Sequence, residues 1–363
     1  MRRKIYQELL QWKQRSGESA LLVQGARRVG KSYIVEAFAK AEYKSYILID
    51  FNLVDQPVKE MFEHDLVDLK TFFMKLTTYY GVKLYERESL IIFDEVQLFP
   101  RARSAIKYLV ADGRYDYIET GSLISIRENV KDILIPSEED HVDMYPLDFE
   151  EFLWANGNDT MMDFIRDCYR KKAPLGQALH RKAMDLFRQY LIVGGMPQAV
   201  NAFVKHNDFD EVDRVKRRIL NLYRDDIRKH AKGYEMKVEA IYDEIPSQMK
   251  NQNQHFKLSS LKQGARFDEY KDAMFWLSDA MIVNHCYNAT EPTFGLNLNR
   301  DRTLLKCYMG DTGLLISHAF DENGIVTGEV YKKLLLDKLE VNMGMVMAVS
   351  YTHLRAHETT LHL

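Results

Sequence analysis

Apolar positions along the first 148 residues fall into short continuous runs separated by stretches of helical spacing. Residues 20–24, 44–51, 89–95, 115–119 and 142–145 are runs of the first kind. Their length and near-continuous apolarity predict strands buried on both faces of a parallel sheet. Residues 5–10 and 33–40 show helical spacing, and Pro146 closes the last strand. Alternating strands and helices predict an α/β sheet with helices on both faces. From Phe149 the pattern becomes helical, with one helix starting at 149–154 and another over 179–193. The second stops at Gly194-Gly195-Met196-Pro197, because glycine and proline there end a helix.

The turn after the first strand carries the chemistry. Gly25-Ala26-Arg27-Arg28-Val29-Gly30-Lys31-Ser32 fits G-x-x-x-x-G-K-[ST] between a strand and a helix. Such a loop binds phosphate, because its backbone N–H groups converge and the helix behind adds its positive end. Lys31 would reach the β- and γ-phosphates, and the Ser32 hydroxyl would ligand Mg²⁺. The third run ends in Asp94-Glu95. In P-loop NTPases an Asp at that strand end holds Mg²⁺, so Asp94 is the second metal candidate. Glu95 sits where a general base would take a proton from attacking water. The fourth run leads to Thr120-Gly121-Ser122, and either Thr120 or Ser122 is a candidate γ-phosphate sensor. Every candidate falls at a strand carboxyl end, where open α/β sheets bind ligands. The fold class expected is therefore a P-loop NTPase parallel sheet, followed by a helical lid and a winged-helix-like domain.

Composition changes this picture little. A length of 363 residues accommodates two or three domains, and 46% hydrophobic content supports sizeable cores. A net charge of −3 gives no global case for nucleic-acid or membrane binding. Three widely spaced cysteines form neither a zinc pattern nor a disulfide framework, which suits a cytoplasmic protein. No apolar run approaches the about 18 residues of a membrane span, and the basic start Met1-Arg2-Arg3-Lys4 lacks a signal-peptide core.

The remaining segments read as scaffold. The charges of residues 211–232 form a solvated helix face, with Arg224 the one candidate phosphate-facing arginine. Residues 258–261 and 270–277 predict two short helices, and 280–287 a strand, the order of a winged helix. Phe267-Asp268-Glu269-Tyr270-Lys271-Asp272 is acidic where a DNA-reading helix should be basic, so internal packing is favoured over DNA. His285 and Cys286 alternate to opposite faces of that strand and make a poor metal pair.

These motifs, with Tyr145-Pro146-Leu147-Asp148-Phe149-Glu150-Glu151-Phe152 and Cys307-Tyr308-Met309-Gly310-Asp311-Thr312-Gly313-Leu314-Leu315, resemble prokaryotic P-loop ATPases of the AAA+/STAND group. The resemblance covers about residues 2–344. It implies an ATPase core over 1–148, a helical lid over 149–235, a winged helix over 236–300 and, from 301 to 348, the start of a truncated nuclease-like domain. It also implies ATP rather than GTP, with Gly195 and Pro197 approaching the adenine. Val349-Ser350-Tyr351-Thr352-His353-Leu354-Arg355-Ala356-His357-Glu358-Thr359 departs from the family and resembles a translated sequencing adapter, so residues 349–363 are set aside as non-native.

The function expected is a slow Mg²⁺-dependent ATPase acting as a conformational switch. The alternative is a nucleotide-binding interaction or regulatory module without significant turnover. A protein client or a second copy of the chain are the partners left open, with DNA through the winged helix a weaker third. Arg101 and Arg103, just after the Asp-Glu pair, are candidate arginine fingers or merely solvated loop residues, with supply in cis or in trans left open.

Overall fold

The structure is a computed structural model. It describes residues 1–363 except 16, 122–137, 252–254, 290–298, 321–330, 332, 334, 336–342 and 359–363. The chain divides into two compact units, Arg3–Met144 and the remainder, Met1–Arg2 with Tyr145–Leu363.

The first unit holds a five-stranded parallel sheet. Its strands are β1 (Ala20–Gly25), β2 (Ser45–Asp50), β3 (Ser89–Asp94), β4 (Asp116–Gly121) and β5 (Glu139–Met144), in the order β2-β3-β4-β1-β5. β1 lies between β4 and β5, with Val23 opposite Thr120 and Gly25 opposite Met144. The β2–β3 register sets Asp50 opposite Asp94. The helices are α1 (Ile5–Gln14), α2 (Lys31–Glu42), α3 (Gln56–Glu60), α4 (Leu69–Tyr80) and α5 (Pro100–Asp112). β3 is buried along its whole length, as its unbroken apolar run requires. Phe51, Phe62, Phe93 and Phe99 interlock beside it with ring centroids 5.5–6.0 Å apart. Mostly edge-to-face contacts of this kind add to the large apolar area each ring buries.

The elements match the apolar pattern with two shifts, the first being that β5 begins at Glu139, three polar residues before the run at 142–145. In the second, β4 runs on to Gly121 instead of stopping before Thr120, because Val23 and Gln24 of β1 pair with Thr120 and Gly121. Thr120 is thus a buried strand residue, one position beyond the end of the apolar run. Ser122 lies outside the described residues.

The second unit is mainly helical. Its elements are α6 (Phe149–Ala155), α7 (Met161–Lys171), α8 (Gln177–Val193), α9 (Pro197–His206), α10 (Phe209–His230), α11 (Glu235–Lys250), α12 (Phe267–Asp279), α13 (Thr312–Ala319) and α14 (Met343–Glu358). Asp148 and Glu151 form a reciprocal capping box that starts α6. An antiparallel pair, β6 (Val283–Ala289) and β7 (Arg300–Met309), follows α12. The helix expected over 258–261 is only a single 3₁₀ turn, Leu258–Ser260. Gly194-Gly195 separates α8 from α9 and is packed from two sides. The Gly195 N–H donates to Asp311 Oδ2 at 2.6 Å, and its carbonyl accepts from the Leu147 N–H at 2.7 Å. Asp311 also caps α13 through the Leu314 N–H at 2.8 Å.

Candidate nucleotide site

The phosphate loop joins β1 to α2. Gly30 has φ +95, the left-handed region that glycine enters without cost, and its carbonyl accepts the first α2 hydrogen bond from Ile34 at 3.1 Å. Gly25 is fixed by close approach: a Cβ there would stand 2.3 Å from the Met144 carbonyl. Arg28 is a non-glycine residue at φ +72, and such strain persists where the surrounding structure over-determines it. Arg27 and Arg28 are exposed, while Ala26 and Val29 face inward.

Lys31 is buried, and its Nζ donates to the carbonyls of Gly25 at 3.0 Å and Ala26 at 3.1 Å. Burial lowers the pKa of its ammonium. The carboxylates of Glu95 and Asp94 oppose that shift, and the positive charge of Arg27 reinforces it. The two acids named by the sequence therefore lie close enough to Lys31 for their charge to matter.

Asp94, at the carboxyl end of β3, collects two hydroxyls on one oxygen. Ser32 Oγ donates to Asp94 Oδ1 at 2.7 Å, and Thr120 Oγ1 donates to the same atom. The parallel register of β3 and β4 and the position of α2 bring these three residues together from three separate elements. Thr120 Oγ1 also accepts from the Glu95 N–H at 3.4 Å. Glu95 is half-buried at φ +52, just past the strand end, and Gln97 Nε2 donates to its Oε2. Thr120 thus addresses the site through Asp94 and Glu95.

The donor set suits a hard cation. Ser32 Oγ and Asp94 Oδ1 are oxygens, and Mg²⁺ is held by one or two protein oxygens together with substrate phosphates and water. Among the described residues no group of three or more His, Cys, Asp or Glu could hold a metal by itself.

Both arginine-finger candidates are committed elsewhere. Arg101 donates from Nε to the Phe62 carbonyl at 3.0 Å and from Nη2 to the Glu63 carbonyl at 2.8 Å. Arg103 is buried between Glu119 at 2.7 Å and Glu139 at 3.0 Å. In the second unit Arg224 pairs with Asp243 at 2.7 Å, the surface pairing that a charged helix face predicts. Gly195 there has both backbone groups engaged, and Pro197 opens α9 half-buried.

Sequence reasoning missed two supports of the loop. Arg3 is buried and donates from Nη1 to the Val29 carbonyl at 3.0 Å. Its only sequence signal was a basic N-terminus, which reads equally well as solvated charge. Gln97 donates from Nε2 back to the Glu95 carboxylate two residues before it, a contact for which a lone glutamine after the Asp-Glu pair carries no sequence signal.

Residues 17–153 match the model of the AAA domain, and residues 184–323 match a domain of unknown function (DUF8612). No curated protein matches the chain significantly. Among solved structures, the chain is similar to the Walker-type ATPase PABY2304 of Pyrococcus abyssi at 14% identity, covering 87% of this chain and 95% of that one with a TM-score of 0.48. The ORC1 protein of Aeropyrum pernix, solved in complex with DNA, is 10% identical over 90% of this chain and 94% of that one, with a TM-score of 0.31. The ADP form of Aeropyrum pernix ORC2 is 12% identical over 93% of each chain, with a TM-score of 0.29. Among the described residues no helix is long and apolar enough to cross a membrane. With the loop, the Asp-Glu strand end and the five-stranded parallel sheet in place, the chain contains an AAA-type P-loop ATPase domain within residues 17–153.

Proposed function

We propose that this domain binds Mg²⁺·ATP and hydrolyses it slowly, with the nucleotide state switching the conformation of the chain. The observation that carries the reading is the chain of contacts from Ser32 through Asp94 to Thr120, with Glu95 beside it. The loop amides from Ala26 to Ser32 cradle the phosphates, and Lys31 places its charge against the β- and γ-phosphates. Ser32 and Asp94 would hold Mg²⁺, whose charge would offset the negative charge developing on the phosphates. Glu95 orients the attacking water and takes its proton. Thr120 fixes Asp94 and the Glu95 backbone, so positioning and preorganised charge supply most of the catalysis. Ser122 stays a candidate on the sequence alone, and Gly195 and Pro197 stay candidates for the base on the family resemblance. A protein client or a second copy would receive the conformational signal. The exposed face of α12, with Asp268, Glu269 and Asp272 against Lys271, weighs against duplex DNA in that role.

The test is steady-state ATP hydrolysis by the wild type and by Glu95→Gln, with ATP binding measured in parallel. A general base contributes about 10²–10⁴-fold, so turnover should fall by that range while ATP affinity is kept. Tight binding with no turnover in either protein would replace the hydrolase reading with that of a nucleotide-binding module.

A further inference from the structure

The chain bends sharply after Asp94. Glu95 sits at φ +52, where a side chain is uncommon, and its N–H rests on the Thr120 hydroxyl at 3.4 Å. A 3₁₀ turn, Val96–Leu98, follows directly, closed by the Leu98 N–H on the Glu95 carbonyl at 3.0 Å. Val96 is wholly buried, which anchors the turn in the core beneath the site. The turn carries the Gln97 side chain back along the chain, where its amide donates to Glu95 Oε2. Gln97 itself is only 6% exposed, so this amide works in a poorly hydrated place where hydrogen bonds are stronger.

A glutamate beyond a strand end ordinarily samples many rotamers, and freezing one costs free energy at the moment of reaction. Here one carboxylate oxygen is already held, and the Glu95 N–H is held by the Thr120 hydroxyl. We infer that Gln97 is a positioning residue for Glu95. Its side-chain amide holds the carboxylate in the orientation from which Oε1 receives the proton of the attacking water. The water oxygen then bonds to the γ-phosphorus while the bond to the β–γ bridging oxygen breaks. That electron pair leaves on ADP, and the proton ends on Glu95. Gln97 touches no reacting atom. Its contribution is alignment, and misplacement of a catalytic group by about 1 Å can cost about 10²-fold.

The inference rests on the hydrolase reading, which the wild-type and Glu95→Gln comparison decides first. Given that turnover, Gln97→Leu removes the amide at similar volume. The expected result is a loss of kcat of about ten- to a hundredfold, with KM and Mg²⁺·ATP affinity within about twofold of wild type. In single turnover the double variant Glu95→Gln with Gln97→Leu should be no slower than Glu95→Gln alone, because the two residues act as one unit. Unchanged or increased kcat in Gln97→Leu overturns the inference. So does a parallel loss of ATP affinity and melting temperature, which would mark Gln97 as structural. A further loss on the Glu95→Gln background overturns it as well. Should the leucine variant not fold, Gln97→Met, unbranched and able to fill the same space, gives the same readouts.

Discussion

Gly195 shows how one residue can be constrained by what approaches it rather than by its own backbone angles. A Cβ there would stand 2.0 Å from the Leu147 carbonyl oxygen and 2.7 Å from the Leu147 nitrogen, distances real side chains essentially never show, and both of these atoms belong to backbone. Neither can yield without moving the start of α6 or the α8–α9 junction. Gly195→Ala should therefore cost at least about 3 kcal/mol, at the upper end for overpacking. Gly81→Ala separates the two reasons for glycine. Gly81 has φ +63 but nothing within 4 Å, so only the left-handed penalty of about 1 kcal/mol applies. Urea denaturation of the two variants beside wild type measures both, and equal losses would show that close approach at Gly195 is relieved cheaply. The sequence revealed that a helix stops at Gly194-Gly195. It could not reveal why two glycines are needed, since Asp311, which binds Gly195, lies 116 residues away.

At the scale of elements, Arg103 ties α5 to β4 and β5. Its guanidinium meets Glu119 and Glu139, and all three side chains are withdrawn from water. Burial pushes the Glu119 carboxyl well above its ordinary value of 4.5, Glu139 adds to the rise, and Arg103 opposes it. Burial likewise raises Glu139, again against Arg103. Removing the cation leaves two buried carboxyls facing each other, so Arg103→Met should cost about 3–5 kcal/mol near neutral pH. The sign with pH follows from the raised values. Above 4.5 the fold holds protons that the unfolded chain has released, so this pair destabilises increasingly as pH rises through that window. The deficit of Arg103→Met against wild type should thus be smaller at pH 5 than at pH 8. Thermal melts at both values check it, and a pH-independent deficit would show that neither carboxyl is forced to ionise. The strands themselves were legible because runs such as Leu90-Ile91-Ile92-Phe93 are apolar on both faces. The fate of Arg103 was not. One-dimensional pattern places an arginine two turns from the Asp-Glu pair equally well on phosphate, and only the pairing of β4 and β5 around β1 brings Glu119 and Glu139 to it.

Across the whole molecule, the residues with phosphate and metal chemistry segregate from those proposed to contact the base. Gly25 to Ser32, Asp94, Glu95 and Thr120 all belong to the unit Arg3–Met144, which has its own sheet and core. Gly195 and Pro197 belong to the other unit. A fragment of residues 1–148 therefore keeps the phosphate loop, both metal candidates, Glu95 and Thr120, and loses both base candidates together with Arg224, which pairs with Asp243. Phosphate and metal contacts do not distinguish ATP from GTP, because the nucleotides share their triphosphate. The fragment should bind Mg²⁺ complexes of both with similar affinity, seen as equal rises in melting temperature. Ligand at about a hundred times Kd stabilises by about 2.7 kcal/mol, well within the reach of such melts. On the proposal that Gly195 and Pro197 serve the base, the full chain should favour ATP over GTP. A fragment that discriminates as well as the full chain would move base recognition into residues 1–148 and leave Gly195 solely as the packing junction that its hydrogen bonds to Asp311 and Leu147 already describe.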